Sequence, residues 1–301
     1  MAGTYSSVPG SPARIAAVAG STFTQLVRMR LFLVPAAFAL CFLGLQFIPF
    51  HDTLGIEFRG VQQLQLLKDI GTGCMLVVGL LFCVSSTALL IPKDVEERIL
   101  YTILSKPVPR FDYLAGKVLG VLLLLGLLLL GMDALVCLLL WVREGSMQQE
   151  LVTALSARGL GAAEAEPYLA ALREAASPAG MQAGIASMFL GFAVLTTLTL
   201  LISCFTSGTI VSIIFALGAY LLGSMQDTLF RVLSPVGHGM SAGMQAAQHA
   251  VAGVLPDFSL FFAAEPAATP PGLLWRLALL AAGYMLLHLA TATWIFNRKE
   301  F

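Results

Sequence analysis

Residues 70–92 contain no Asp, Glu, Lys or Arg, and residues 118–142 contain only Asp133. A third stretch, 175–226, is wholly uncharged. A hydrocarbon core of about 30 Å takes about 20 apolar residues of helix. The first two runs are therefore long enough to cross a bilayer once, and the third long enough to cross twice. Composition agrees, with 58% hydrophobic and 11% charged residues against about 25% charged in an average soluble domain. The expected fold class is an all-α polytopic membrane protein with six transmembrane helices.

Taken in order, residues 1–30 form an N-terminal arm. Ser11-Pro12 reads as an N-cap followed by proline at the first helical position. Ile15, Val18, Ala19, Thr22, Phe23, Leu26 and Val27 then recur at helical spacing, with Arg14, Gln25 and Arg28 off the stripe. An interfacial helix lying on the membrane fits this pattern, and so does a cytoplasmic helix packed on another element. The first apolar run starts too late and is too long for a cleavable signal.

Residues 31–301 make the six-span body, with spans expected near 31–50, 70–91, 113–142, 181–204, 209–225 and 273–296. Residues 52–69 are read as a short external helix. The punctuation Cys204-Phe205-Thr206-Ser207-Gly208 separates spans four and five. Two external helical insertions are expected, 143–178 as a two-helix cap and 226–272 as an interfacial or re-entrant segment. No internal repeat is visible, which disfavours an inverted-repeat secondary transporter.

Between spans two and three lies a dense block of charge, Lys93, Asp94, Glu96, Glu97, Arg98, Lys106, Arg110, Asp112 and Lys117. Within it Val95, Ile99, Leu100, Ile103 and Leu104 recur on one helical face. Pro107 and Pro109 then end the helix by withholding N–H donors and restricting the residues before them. A short amphipathic helix is expected, either along the inner membrane face or packed under the bundle as an ordinary loop helix.

The run Ile91-Pro92, Glu97-Arg98, Ile99-Leu100-Tyr101-Thr102, Leu104-Ser105-Lys106-Pro107-Val108, Arg110, Tyr113, Gly116-Lys117 and Leu119-Gly120 resembles the coupling segment of ABC-2-type ABC transporter permeases. The branch it most resembles includes the permeases of nitrous-oxide-reductase maturation and gliding motility. Leu255-Pro256-Asp257-Phe258-Ser259-Leu260-Phe261 and the basic tail Asn297-Arg298-Lys299 are similar to further segments of such permeases. The resemblance implies that this connector docks on a cytosolic ATPase. It marks Glu96, Glu97 and Arg98 as the ATPase contacts, supported by Ile99, Tyr101, Leu104, Lys106 and Arg110. It also implies a second permease copy or paralogue beside this chain, with the substrate path between the two.

Charge sets the expected topology. The N-terminal arm, the 92–117 connector and the tail hold ten bases and five acids, while the other non-spanning segments hold seven bases and eleven acids. The basic segments belong on the cytoplasmic side, which places both termini inside a bacterial inner membrane.

Asp133 is the one acid well within a span, roughly mid-membrane and slightly outward. It costs about 2.5–3.5 kcal/mol there, so it reads as a translocation-path or dimer-interface group, or as a protonated acid bonded to a neighbouring helix. His288 carries the same pair of readings. Gly116-x-x-x-Gly120 permits close helix approach, and intramolecular packing is the preferred use. The five cysteines all lie in apolar runs without CxxC spacing and read as small buried hydrophobes. Met225, Met240, Met244, His238 and His249 are too scattered for a metal site.

No GxxxxGK[ST], GxGxxG or HExxH occurs, and no catalysis is expected of this chain and no bound cofactor. ATP and Mg belong to the partner ATPase. The expected function is the permease subunit of an ABC-2-type transporter, in contact with lipid and with no nucleic-acid partner. The alternative is a membrane scaffold that passes ATPase work to a periplasmic partner. Neither the substrate nor homodimer against heterodimer is legible.

Overall fold

The computed structural model describes residues 11–29, 61–96, 109–157, 162–206, 208–226, 255–262 and 271–298, with isolated positions 33, 37, 228 and 243. These residues build seven α-helices and one 3-10 turn, with no strand among them. The helices are α1 (Ser11–Arg28), α2 (Val61–Glu96), α3 (Arg110–Ala157), α4 (Ala162–Ala176), α5 (Ala179–Phe205), α6 (Thr209–Ser224) and α7 (Pro271–Arg298). The turn, Phe258–Leu260, lies between α6 and α7.

Among the described residues, four stretches are long and apolar enough to cross a membrane: Val61–Asp94, Arg110–Thr153, Glu166–Phe205 and Gly272–Phe296. The third joins the end of α4 to α5 across Ser177 and Pro178. α6 is apolar but shorter, its 16 residues rising about 24 Å. Apart from positions 33 and 37, the expected first span, 31–50, lies outside the described residues, as does most of 226–272.

Two boundaries differ from the sequence reading. Residues 61–69 are not a separate external helix but the first turns of α2. Gln62, Gln63, Gln65, Leu66 and Leu67 are all good helix formers, and nothing between them and the apolar run interrupts the backbone. α2 also continues through Pro92. Likewise α3 does not stop near 142. It runs 48 residues, about 72 Å, more than twice the hydrocarbon thickness. Residues 143–178, expected as a two-helix cap, thus fall in the last third of α3 and in α4.

Side-chain contacts give the helix directions. The end of α2 meets the start of α3 through Asp94 and Lys117. Lys68 on α2 donates to the Ser177 carbonyl at 2.6 Å, beyond α4. Gln182 on α5 reaches Asp133 on α3, and Arg110 on α3 reaches the Phe296 carbonyl near the end of α7. Thus α3 runs opposite to α2, α5 and α7. We call the end holding Asp94, Arg110 and Phe296 the basal end.

α5 is the central helix. Phe192 through Leu200 are all buried, the pattern of a helix surrounded by others. The Phe192 ring fills the space a Cβ would take at Gly79 of α2. Ser187 donates to the Phe261 carbonyl at 2.9 Å, and Gln226 to that of Leu255 at 2.9 Å. The 255–262 segment is thereby tucked between α5 and α6, where Phe258 and Phe262 stack and Tyr220 meets both rings at an angle.

The outer surface is apolar. Leu119, Leu123, Leu127, Leu130 and Leu138 line one side of α3, and Ile210, Ile214, Phe215, Leu221 and Leu222 cover α6. Patches of this size suit lipid and not water. On α7, the exposed Trp275 and Trp294 lie 19 residues apart, about 28 Å. That matches the spacing of aromatic belts at the two faces of a bilayer. The described residues form an all-helical protein built for a membrane.

Candidate functional site

The charged connector begins where α2 ends and finishes where α3 begins, and the two feet are joined. Asp112, Tyr113, Gly116, Lys117 and Gly120 are spaced to share one face of α3. Tyr113 and Lys117, four residues apart, turn toward Asp94 in the last turn of α2. The Lys117 ammonium lies 2.6 Å from Asp94 Oδ2, and the Tyr113 hydroxyl donates to the same oxygen. Asp94 is 0% exposed and Lys117 4%, so this ion pair is out of water.

A third helix completes the set. Gln25 on α1 accepts from Lys117 at 3.2 Å and donates to Asp94 Oδ1 at 3.4 Å. Three helices thus meet at one buried carboxylate. A buried charge is tolerable only when paired and hydrogen-bonded, and here every partner comes from α1 or α3. Lys117 also lies 5.6 Å above the Tyr113 ring, a cation–π contact.

α7 joins at the rim. Tyr113 stacks on Phe296 with centroids 6.2 Å apart. Arg110 donates to the Phe296 backbone carbonyl and sits 5.9 Å over its ring. That carbonyl belongs to the last turn of α7, where a cation is well placed.

α1 is held along α3 by small residues and a second ion pair. A Cβ at Gly116 would lie 2.6 Å from Val18 Cβ, and one at Gly120 2.6 Å from Thr22 Cβ. The Gly-x-x-x-Gly pair is used within the chain, as expected. Asp112, in the first turn of α3 where a carboxylate suits the helix dipole, binds Arg14 at 3.1 Å and Ser11 at 2.8 Å. Ala19, Thr22 and Leu26 of the amphipathic stripe are buried. Val18, Phe23 and Val27 of the stripe are partly buried against the core, and the exposed positions between Ala13 and Arg28 are Ala13, Ala16, Ala17, Gly20, Ser21, Thr24 and Arg28.

Of the residues singled out from sequence, Arg110 belongs to this node. Glu96 is the last residue of α2, its side chain not described. Glu97, Arg98, Ile99, Tyr101, Leu104 and Lys106 lie outside the described residues. Asp133 is elsewhere, 16 residues or about 24 Å along α3 from Lys117. Gln182 of α5 donates to both its oxygens at 2.9 and 3.0 Å, and the Cys137 thiol approaches at 3.5 Å. It therefore ties α3 to α5. His288 stands 3.1 Å from the Thr197 hydroxyl, and Cys83 3.0 Å from that of Thr196, so side chains on consecutive residues of α5 bond it to α7 and α2. No disulfide joins the described cysteines.

Sequence reading missed Asp94, Tyr113, Lys117 and Gln25 as a unit. Tyr113-x-x-Gly116-Lys117 carried part of the signal, because that spacing stacks the ring, the gap and the cation on one face. Gln25 carried none. No protein-family model matches this chain, and no curated protein matches it.

Proposed function

We propose that this chain is the membrane permease subunit of an ABC-2-type ABC transporter, working with cytosolic ATPase subunits and a second permease copy or paralogue. The observation that carries the reading is the buried Lys117–Asp94 pair with Tyr113 and Gln25. It joins the two feet of the segment whose residues resemble an ATPase-docking connector. A push delivered to such a connector reaches the spans only if its feet do not spread. A buried ion pair shared by three helices meets that need, and the push moves α1, α2 and the basal part of α3 as one body.

In this reading the basal end is cytoplasmic, Glu96, Glu97 and Arg98 contact the ATPase, and ATP and Mg are bound and consumed there. The chain lies in a bacterial inner membrane with six spans and both termini inside. Cargo and direction follow from the partners, since fold does not define them.

The test is affinity purification of the C-terminally tagged chain from native membranes in mild detergent. A stoichiometric ABC-type ATPase supports the reading, and its absence after crosslinking sinks it. In the purified complex, Glu97→Lys or Arg98→Glu should lower permease-dependent ATPase activity while expression stays normal.

A second reading, a scaffold that passes ATPase work to a partner beyond the membrane, is favoured by one observation. α3 rises about 72 Å and with α4 forms a helical projection beyond the apolar belt. Deleting 143–178 would separate the readings. Loss of partner binding with intact substrate efflux counts against the scaffold.

A further inference from the structure

The placement of α1 bears on how such a subunit moves. A helix that floats on a membrane keeps its large apolar residues for lipid. In α1 Leu26 is buried with Ala19 and Thr22, and Val18, Phe23 and Val27 are partly buried against the core. The exposed positions from Ala13 to Thr24 are alanine, glycine, serine and threonine. Lipid has little to hold there.

Protein holds it at two points instead. At its start, Arg14 and Ser11 bind Asp112, the third residue of α3. Near its end, Gln25 enters the ion pair that joins α2 to α3. Between these points Gly116 and Gly120 let the two backbones come into contact, the Ile15 carbonyl lying 3.0 Å and the Ala19 carbonyl 2.8 Å from where a Cβ would be. Polar bonds at both ends fix the register, and the glycines leave no compressible layer between.

We infer that α1 is a strut of the coupling stem: it moves with the basal part of α3 as one rigid body, so a displacement of the connector is passed through α1 to the chain that follows it. The inference rests on the permease reading and adds a second output to it. The connector would drive the segment after Arg28 as well as α2 and α3.

The test uses the co-purified complex in lipid nanodiscs, with the native cysteines replaced. Nitroxides are attached through Ala17→Cys on α1 and Leu123→Cys on α3, both exposed positions. The expected result is one narrow distance that changes by less than about 2 Å, the scale of a helix shift, between nucleotide-free and ATP–vanadate-trapped complex. Gly120→Leu, which wedges α1 off α3, should broaden that distance. It should also lower permease-stimulated ATPase activity roughly ten-fold with the same amount of ATPase bound, and Gly120→Ala should fall between. If Gly120→Leu does not accumulate, the pair Arg14→Ala with Asp112→Ala removes one anchor without a clash and is expected to act in the same direction. An Ala17–Leu123 distance that shifts with nucleotide overturns the inference. So does a broadened distance with undiminished stimulation. An ATPase that never co-purifies instead defeats the permease reading, and the strut with it.

Discussion

Replacing Lys117 by methionine isolates the energetic weight of the basal node. The substitution keeps the length of the side chain and removes its charge. Asp94 then stays fully buried with the Tyr113 hydroxyl and the more distant Gln25 amide as its remaining partners. Breaking one side of a buried pair costs about 3–5 kcal/mol, because the other charge is left uncompensated. The two surviving hydrogen bonds place this case near the lower figure, about 3 kcal/mol. At about 2–4 °C per kcal/mol for a chain of this order of size, the melting temperature should fall by roughly 6–12 °C.

The assay is a thermal-aggregation curve of the purified chain in one detergent, with Arg173→Ala as the internal control. Arg173 and Glu166 form an ion pair at 3.3 Å with side chains 54% and 62% exposed. Such a pair contributes at most about 1 kcal/mol. Adding Asp94→Asn to Lys117→Met should recover more than half of the loss, since no buried charge then remains. A Lys117→Met chain that melts with the Arg173→Ala control refutes the claim that the pair is buried and coupled.

Gly79→Val should destabilise by about 1–3 kcal/mol through overlap with the Phe192 ring, read in the same melting assay as a lower midpoint. Asp133→Leu should cost about 1 kcal/mol by removing both acceptors of the Gln182 amide, whereas Asp133→Asn should cost less; equal losses would show that Asp133 is more than a tie between α3 and α5. Arg110→Ala should loosen the end of α7, seen as faster amide exchange over 290–298 with α5 unchanged.

The apolar runs made the membrane helices legible because a bilayer punishes charge along a whole span. Each of 70–91, 113–142, 181–204 and 273–296 falls within a described helix. The helix ends were less legible. At 61–69 and 143–157 the sequence turns polar, which signals departure from lipid, but the backbone continues, since glutamine and leucine favour helix in either medium. Polarity reports the solvent, not the hydrogen-bond ladder. The same limit explains α1. Its stripe announced a buried face, but a periodic pattern does not say what buries it, and the answer lay about a hundred residues away in Gly116 and Gly120. Asp94 and Lys117 looked like two of many charges in a solvated connector. Their burial follows from Tyr113 and Gly116 bringing the helices close, and no local pattern states that.

A buried ion pair is a poor choice for stability alone, since well-packed apolar residues of similar volume often do as well or better. Its use at this place has a directional explanation. The α1–α3 contact is built on small residues, and close-packed smooth surfaces can slide by a turn at modest cost. Leucine-rich faces such as those of α3 and α5 are similarly forgiving of register. One carboxylate that must meet an ammonium, a phenol and an amide from two other helices has few acceptable arrangements. Arg14 on Asp112 adds a second such constraint about three turns away along α1. Two constraints on one helix pair remove both sliding and rotation, which apolar contact by itself does not. The charges at the feet of the connector thus set the positions of α1, α2 and α3 relative to one another, and the apolar remainder of each helix is left to hold the bundle in the membrane.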